Sequence, residues 1–247
     1  MLSIIIITKN EETHIAKCLA SVQWADEIIV LDSGSTDETV SICKQFTQHV
    51  FEADWKGFGI QKQRVLNKAK GDWVLSIDAD EIITPKLRAE IKVAMQSSEF
   101  NGYKIPFLSS YCGKNIKHSG WYPDYHLRLF RREAGEFSND VVHEKVYVNG
   151  LIGVLKSPVL HDSYTDLNEV LVKINHYSTL QAQKMFEIGT RSSLLKAIFS
   201  AIWKFLNMYF IKAGFRDGKA GLMLAISSAE GVYYKYLKLL ELHDKCR

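Results

Sequence analysis

The chain has 247 residues, of which 47% are hydrophobic, and a formal net charge of +3. This length and composition predict one large domain, or one domain with an appendage, with enough apolar side chains for a packed core. The charge is uneven: residues 1–166 hold 19 lysines and arginines against 22 acidic residues, whereas residues 167–247 hold 12 against 6. An acidic body with a basic tail is unlike a nucleic-acid enzyme, and it favours a cation-using body and a tail that meets an anionic partner.

The cysteines and the N-terminal stretch bear on the cellular compartment. Cys18, Cys43, Cys112 and Cys246 have neither metal-ligand nor disulfide spacing, which favours a reducing cytoplasm. The apolar residues 1–7 are not preceded by a basic segment and run directly into a polar stretch. They predict a first strand rather than a signal peptide.

The first hundred residues alternate between buried strands and amphipathic helices, as judged from apolar runs and from apolar residues at helical spacing. This alternation predicts an α/β fold with a mostly parallel sheet and right-handed crossovers. Ser35 and Glu38 have the spacing of a capping box at the second helix. The predicted strands are Ile4–Thr8, Glu27–Leu31, His49–Glu52 and Trp73–Ile77. The predicted helices are one that includes residues 15–22, one that follows the Ser35 cap and includes residues 40–46, and one at 58–69.

Three carboxylates follow the fourth predicted strand, in the stretch Asp78-Ala79-Asp80-Glu81, and Thr84-Pro85 then predicts a helix start. These carboxylates are expected at the carboxyl edge of the sheet, where open α/β folds bind ligands. Two aspartates one residue apart on an extended segment point the same way, which suits a divalent cation that shares its ligands with a diphosphate. A lone Asp-x-Asp is also typical of an acidic helix start.

No glycine-rich dinucleotide fingerprint follows the first strand, because residues 8–12 read Thr-Lys-Asn-Glu-Glu, and the chain contains no P-loop motif. Phosphate binding by a glycine cradle is therefore not expected. This again favours a metal ion as the group that neutralises phosphate charge.

From Gly102 to Asp162 short β-like runs alternate with aromatic and polar residues, which predicts an antiparallel, substrate-facing half of the same domain. Trp121, Tyr122 and Tyr125 could stack on sugar rings there, or belong to the core. The β-like runs are Tyr103–Leu108, Leu127–Arg131, Lys145–Val148 and Val154–Leu155.

After Asp166 the chain is predicted to be helical. The stretch Leu194–Ala213 is strongly apolar, but Lys196, Lys204 and Lys212 interrupt it. A narrow cationic stripe beside a wide apolar face predicts a helix that lies in a membrane interface rather than one that spans the bilayer. A core helix or a dimer helix would show a similar pattern.

Three stretches, each at the end of a predicted strand, together resemble family 2 glycosyltransferases of the GT-A type. They are Ile4–Glu11, Val30–Asp37 and Asp78–Glu81. Three further stretches resemble the KdtX/WaaE-like branch, the lipopolysaccharide core glucosyltransferases. They are Leu127–Arg131, Val142–Glu144 and Gly214–Gly221. The resemblance implies a GT-A-like nucleotide-diphospho-sugar transferase fold and inverting transfer of glucose from a UDP-sugar to the inner-core heptose of lipopolysaccharide.

The resemblance also implies roles for residues at the sheet edge. Glu11 and Asp32 would grip the nucleotide, since a carboxylate can accept hydrogen bonds from the uracil N–H or the ribose hydroxyls. Thr8 would line the same pocket. Lys62 and Arg64, on the helix before the fourth strand, would help to hold the phosphates, although charged helix residues are often only solvated.

The expected cofactor is Mg²⁺ or Mn²⁺. Asp80 would coordinate it, and Asp78 would face the ribose or reach the metal through water. His161 is a further candidate ligand, because related folds often supply a late histidine to the ion. Such an ion neutralises the charge that builds on the departing diphosphate.

Inverting transfer needs a base that takes the proton from the acceptor hydroxyl. The resemblance places it in the second half of the catalytic domain, where Glu144 is the first choice and Asp140 the second. Glu81, beside the metal loop, is a competing candidate. Many family members carry the base in a Glu-Asp pair, and the second half of this chain has no such pair.

The predicted organisation is a GT-A-like catalytic domain at 1–166 and a helical extension at 167–247. Residues 1–100 would form the nucleotide-sugar and metal half, and residues 101–166 the acceptor half. The extension would rest on the anionic inner face of the bacterial inner membrane. The alternatives are transfer to a polyprenyl-linked or other envelope glycan, and a nucleotide-sugar-binding module without turnover.

Overall fold

The computed structural model describes residues 1–138 and 145–245. The chain divides into two compact units. The sheet unit consists of Met1–Phe107 and Asp124–His161, and the helical unit consists of Leu108–Pro123 and the chain from Asp162 onward. We describe each unit by itself.

This division differs from the predicted one, which kept residues 108–123 with the catalytic domain and began the helical extension at 167. In the structure this segment belongs to the helical unit. Tyr111 and Ile116 are completely or almost completely buried in an apolar cluster that includes Val170 and Leu224. The segment keeps some β-structure, at 108–111 and 114–115, and burial of its apolar side chains among helical residues assigns it to the helical unit.

The sheet unit is built on a mixed sheet with helices around it, as the α/β prediction requires. Its strand order is β3-β2-β1-β4-β8-β6-β12-β5, in which β3, β2, β1 and β4 are parallel to one another and β8 is antiparallel to β4. The strands of the chain are β1 Leu2–Thr8, β2 Glu27–Asp32, β3 Val50–Glu52, β4 Trp73–Asp78, β5 Glu81–Ile83, β6 Gly102–Tyr111, β7 Lys114–Asn115, β8 Asp124–Arg131, β9 Gly135–Phe137, β10 Val146–Val148, β11 Ile152–Val154 and β12 Val159–His161. The short strand β7 and the end of β6 lie in the helical unit.

The sheet is covered on both faces, which explains why β1, β2 and β4 read as continuous apolar runs. One apolar cluster includes Ile4, Ile6 and Leu75, and the other includes Ile5 and Ile7. Successive β1 side chains therefore alternate between two cores.

The helices of the sheet unit are α1 Ile15–Val22, α2 Thr39–Phe46, α3 Phe58–Leu66 and α4 Pro85–Ala94. Thr84 caps α4 by accepting a hydrogen bond from the Leu87 N–H, as predicted. The capping box at α2 was wrong, because that helix begins later, at Thr39, and the Ser35 hydroxyl donates instead to Asp32. Helix α3 ends before the predicted Ala69.

The helical unit contains α5 Leu167–Glu187, α6 Leu194–Leu206 and α7 Gly218–Lys245, with a π-helical turn at Asn207–Ile211 and a 3₁₀ turn at Gly214–Asp217. Asp166 caps α5 and Ser193 caps α6, each by accepting a backbone N–H of the first turn. The predicted helical character of the C-terminal region is confirmed.

Helix α6 presents its apolar face outward. Leu195, Phe199, Ile202 and Trp203 recur at helical spacing and are 50–66% exposed. Its packed side carries Ala197, the one buried residue of the helix. Within the described residues, one helical stretch, starting at Leu194 and ending at Ile211, is long and apolar enough to span a membrane by length and composition, and 11% of it is buried. Most soluble helices bury their apolar stripe instead.

Candidate functional site

The sheet register brings the polar ends of three parallel strands to one edge. Thr8 of β1 pairs with Asp32 of β2, and Ile7 of β1 pairs with Asp78 of β4. This is the carboxyl edge, where ligands of open α/β sheets bind. The register therefore gathers the three family-like stretches at one place.

Hydrogen bonds join the loop after β1 to the loop after β2. The Asn10 N–H donates to Ser35 Oγ at 2.8 Å, and the Thr36 N–H donates to Asn10 Oδ1 at 2.8 Å. The Glu11 N–H donates to Thr39 Oγ1, also at 2.8 Å. Asn10 adopts a φ of 54°, a left-handed conformation that asparagine tolerates better than most residues. These side chains join the two loops into one rim at the sheet edge, a role that the sequence analysis did not assign.

Asp32 lies 1% exposed beneath this rim. Its Oδ1 accepts the N–H groups of Gly34 at 2.9 Å and Ser35 at 2.8 Å, and its Oδ2 accepts the Ser35 hydroxyl. The carboxylate thus holds the loop that follows β2. Its predicted direct contact with the nucleotide remains a prediction.

Thr8 is 5% exposed, and its Oγ1 has no hydrogen-bond partner among the described residues. A buried hydroxyl without a partner is unusual, because an unmet hydrogen bond costs about 1–3 kcal/mol. The predicted place of Thr8 in the nucleotide pocket remains a prediction.

Asp78 lies between two cations. Its Oδ1 is 2.9 Å from Lys62 Nζ, and its Oδ2 is 2.8 Å from Arg128 Nη2. The same Arg128 nitrogen lies 3.0 Å from Glu81 Oε1, and Glu81 Oε2 accepts the Asp78 N–H at 2.9 Å. Lys62, Asp78, Glu81 and Arg128 therefore form one ionic network, which we call the Asp78 network.

The Asp78 network gives its two carboxyl groups opposite pKa shifts. Burial raises the pKa of Asp78, but the Arg128 and Lys62 charges outweigh burial and hold that pKa well below its usual range. Burial raises the pKa of Glu81 to about 7, against the opposing charge of Arg128 and with the help of Asp78 and Asp80. Glu81 is 1% exposed and accepts the Asp78 N–H, so it holds the carboxylate loop, while its role as a competing base remains a prediction.

Asp80 and His161 form a second pair at the same edge. His161 Nε2 lies 3.1 Å from Asp80 Oδ2. The antiparallel pairing of β12 with β5 sets His161 opposite Glu81, next to Asp80 in sequence. Burial lowers the pKa of His161, but the hydrogen bond and charge of Asp80 outweigh burial and raise it above its usual value. Burial and the nearby Asp80 charge also raise the pKa of Glu11, whose carboxylate lies 3.1 Å from His14 Nδ1.

Asp78, Asp80 and His161 were predicted as metal ligands, which remains a prediction, and in the structure the two aspartates have different side-chain partners. Asp80 meets His161, while Asp78 meets Lys62 and Arg128. Within residues 1–138 and 145–245, no three His, Cys, Asp or Glu side chains are grouped to hold a metal ion between them. Asp80 and His161 nevertheless fit Mg²⁺ or Mn²⁺ if a diphosphate and water complete the shell, because Mg²⁺ commonly takes one or two carboxylates and the rest from substrate phosphates.

Other predicted residues lie elsewhere or outside the described residues. Arg64 Nη1 pairs with Asp54 Oδ1 at 3.0 Å and with Gln61 Oε1 at 2.9 Å, which accounts for its charge without a phosphate. The predicted bases Asp140 and Glu144 lie outside the described residues.

The predicted aromatic platform is divided between the two units. Trp121 stacks on Tyr164 in the helical unit, with ring centroids 5.9 Å apart. Tyr125 belongs to β8 in the sheet unit and is 45% exposed. The two side chains therefore do not share one compact unit.

Arg128 is the main residue that sequence reasoning missed. It lies in β8 beside the buried Leu129, and its guanidinium lies over the buried Phe107 ring, 5.2 Å from the centroid. The available signal was its place in the Leu127–Arg131 stretch, which resembles the core glucosyltransferases. Its partners on β4 and β5 could not be read from the sequence, because an antiparallel pairing between distant strands fixes them.

Comparisons with known proteins agree with this geometry. The sequence model described as glycosyl transferase family 2 matches residues 3–152. The lipopolysaccharide core biosynthesis glycosyltransferase LpsC of Rhizobium meliloti is 31% identical over 98% of this chain and 93% of its own length. A glycosyltransferase of Rickettsia typhi is 33% identical over 100% of this chain and 89% of its own length.

Among solved structures, S. aureus TarS in complex with UDP-GlcNAc is similar with a TM-score of 0.51. The match covers 100% of this chain and 92% of that chain at 16% identity, so it supports the fold alone. The family match extends over more than half of the chain and includes the loops after β1 and β2 and the carboxylates after β4. The chain is therefore a glycosyltransferase that belongs to glycosyl transferase family 2.

Proposed function

We propose that this chain is an inverting, metal-dependent glycosyltransferase that moves glucose from UDP-glucose to the inner-core heptose of lipopolysaccharide. One observation supports the part of the proposal that concerns the UDP-sugar donor. The Asp80–His161 pair and the Asp78 network lie at the sheet edge where the loops after β1 and β2 meet. The similarity to LpsC supports the part that concerns the lipopolysaccharide acceptor.

In this proposal Asp80 and His161 hold Mg²⁺ or Mn²⁺ together with the donor diphosphate. When bound, the ion supplies Lewis-acid stabilisation of the leaving UDP. Lys62 and Arg128 keep Asp78 ionised, so the site retains a carboxylate that can accept a ribose hydroxyl. Glu11, Asp32 and Thr8 shape the nucleoside pocket.

Glu144 remains the proposed base, with Asp140 as second choice. The assignment rests on the resemblance of the Val142–Glu144 stretch to the core glucosyltransferases. A carboxylate there would take the proton of the acceptor hydroxyl as the hydroxyl oxygen attacks the anomeric carbon from the face opposite UDP. This geometry of attack inverts the configuration.

We further propose that the helical unit binds an anionic membrane surface, at the cytoplasmic face where nucleotide sugars are used. The outward apolar face of α6 supports this, since Phe199 and Trp203 are 65% and 61% exposed. Residues 167–247 also carry twice as many basic as acidic residues. Apolar side chains beside lysines favour an interface rich in anionic lipid.

The test is UDP release from UDP-glucose with Mg²⁺ or Mn²⁺, with and without heptose-containing inner-core lipopolysaccharide. The proposal predicts acceptor-dependent release that EDTA stops. Release with a polyprenyl-linked acceptor instead would replace the acceptor assignment. UDP binding without release on either acceptor would favour a binding module over an enzyme acting on these glycans.

A further inference from the structure

The helical unit contains a cavity of about 360 Å³ that the proposed transfer reaction does not use. Its volume lies in the range of small-molecule sites. All of its lining residues belong to the helical unit. Aromatic and cationic side chains line it together, namely Tyr111, Trp121, Tyr164, Lys173, Lys204 and Lys235.

The lysines of the cavity are not equally neutralised. Lys173 Nζ lies 2.6 Å from Glu169 Oε1 and donates to the Ser163 carbonyl. Lys204 and Lys235 are both half-buried, and neither has a hydrogen bond or an ion pair within the part of the chain that the structure describes. Lys235 Nζ lies 4.8 Å from the centroid of the Tyr236 ring, a cation–π contact that supplies no anion. Among the described residues, these two lysines of the cavity therefore have no carboxylate partner.

The electrostatics around Lys204 agree with this imbalance. Burial and the neighbouring charges of Lys212 and Lys235 lower the pKa of Lys204. Half-buried like charges repel one another and are partly desolvated, and attraction to a bound anion offsets both costs. A phosphate group offers three acceptor oxygens and enough charge for two lysines.

Besides the lysines, the cavity is lined by aromatic rings and hydroxyl groups. Trp121 stacks on Tyr164 with an interplanar angle of 25°, and the Tyr111 hydroxyl lies 2.8 Å from Ser227 Oγ. Aromatic faces pack against the C–H faces of sugar rings, while serine side chains can exchange hydrogen bonds with sugar hydroxyls. A purely inorganic anion would use only half of this lining.

We propose that this cavity binds a phosphorylated sugar, with the phosphate on Lys204 and Lys235 and the sugar ring against Trp121 and Tyr164. The ligand is either a free sugar phosphate or the phosphorylated headgroup of a glycolipid. The choice of a lipid A probe below rests on the proposed function, but the cavity and its charges do not.

The experiment measures binding of glucose 6-phosphate, inorganic phosphate, and phosphatidylcholine vesicles with or without lipid A to the full chain. The test variant is Lys204→Met with Lys235→Met. The matched control is Lys184→Met with Lys219→Met, which removes the same charge from exposed positions outside this cavity. Thermal unfolding and UDP binding verify that each variant is folded.

We expect the test variant to lose at least tenfold in affinity for one of the sugar-phosphate probes, while the control variant and UDP binding remain unchanged. Preference for glucose 6-phosphate identifies a free ligand, and preference for lipid A vesicles identifies a headgroup. Trp121→Leu should weaken sugar-phosphate binding more than phosphate binding.

Equal losses in the test and control variants would overturn the proposal, since they would indicate general charge attraction. Absence of binding to every probe, or equal affinity for inorganic phosphate and the sugar phosphates, would also overturn it. Failure of UDP binding in the wild-type chain would instead contradict the proposed function. The sugar-phosphate binding measurements would still test the cavity proposal.

Discussion

At the scale of single residues, the site depends on Arg128, because its guanidinium contacts two carboxylates. Its Nη2 lies 2.8 Å from Asp78 Oδ2 and 3.0 Å from Glu81 Oε1, and Glu81 is almost fully buried. Removing one partner of a buried ionic group costs more than the pair contributes, because an unmatched charge remains. Arg128 is therefore a stability residue as well as part of the site.

Replacing Arg128 with methionine should lower the free energy of unfolding by about 3 kcal/mol at neutral pH, since Glu81 and Asp78 lose their shared cation. Urea denaturation measures this. Arg132→Met, which removes a half-exposed arginine of the following turn, should change stability by less than about 1 kcal/mol. Adding Glu81→Gln to Arg128→Met should recover part of the loss; no recovery would contradict the network.

The proposed base gives a second residue-scale prediction. Glu144→Gln should lower kcat by roughly 10²- to 10⁴-fold, because the acceptor hydroxyl loses its proton acceptor, while UDP binding stays unchanged. Glu136→Gln, an exposed glutamate of β9, should retain activity. If Glu144→Gln remains active and Asp140→Asn does not, the base is Asp140.

The residue scale also shows where sequence reasoning succeeded and where it stopped. Thr8, Asp32 and Asp78 were placed together because parallel strands end at one edge, and the register confirms it. The partners of Asp78 were not foreseen. Strand alternation predicts that the side chains of Asp78 and Asp80 point the same way. The chain turns after β4, however, so Asp78 contacts Lys62 and Asp80 contacts His161.

At the scale of elements, the strand–helix order was predictable from apolar runs and helical spacing, since both sheet faces are buried. Helix ends were less predictable. Ser35 had the right spacing for a cap, but Asp32 competes for its hydroxyl, so α2 begins at Thr39 instead. Local hydrogen bonds of a functional loop override a capping signal here.

Helix α4 anchors the loop that leads to β12 and His161. Glu90 accepts the N–H groups of Lys156 at 2.7 Å and Ser157 at 2.8 Å. Although partial burial opposes the shift, these hydrogen bonds lower the pKa of Glu90 below its usual value. The ionised carboxylate is thus the stabilising form. Its contribution to the free energy of unfolding is fully present above the usual glutamate pKa, and it is lost as the pH falls through the lowered pKa of Glu90 in the folded state.

Glu90→Gln should therefore cost about 1–2 kcal/mol at pH 7, because an amide oxygen replaces two charge-assisted acceptors, and the difference from wild type should shrink in acid. Urea denaturation across pH 3 to 7 measures this. Glu99→Gln, an exposed glutamate, serves as the control. A cost that is independent of pH would show that the charge of Glu90 does not stabilise the loop.

The outward face of α6 gives a second element-scale prediction. Phe199→Ala with Trp203→Ala should weaken binding to anionic vesicles at least tenfold, because a buried aromatic side chain contributes about 1.5–3 kcal/mol. Vesicle co-sedimentation measures this, with Val93→Ala, 69% exposed on α4, as the control. The wild type could instead form a stable dimer that does not bind anionic vesicles. If the double variant is then monomeric, this face serves oligomerisation.

At the scale of the whole molecule, the sequence showed an acidic body and a basic tail, and the structure shows two compact units. The unit boundary was not predictable from composition. Residues 108–123 look like the β-rich body, yet their apolar side chains are buried with those of α5 and α7. Such long-range packing leaves no local signal.

The central claim is that the sheet edge binds a UDP-sugar with a divalent ion held by Asp80 and His161. Calorimetric titration of UDP with and without Mn²⁺ tests it most directly, on wild type, on Asp80→Asn, and on Asp72→Asn as an exposed control. We predict that Mn²⁺ strengthens UDP binding in wild type and in the control but has no effect in Asp80→Asn. Equal Mn²⁺ dependence in all three proteins, or no UDP binding by the wild type, would contradict the account.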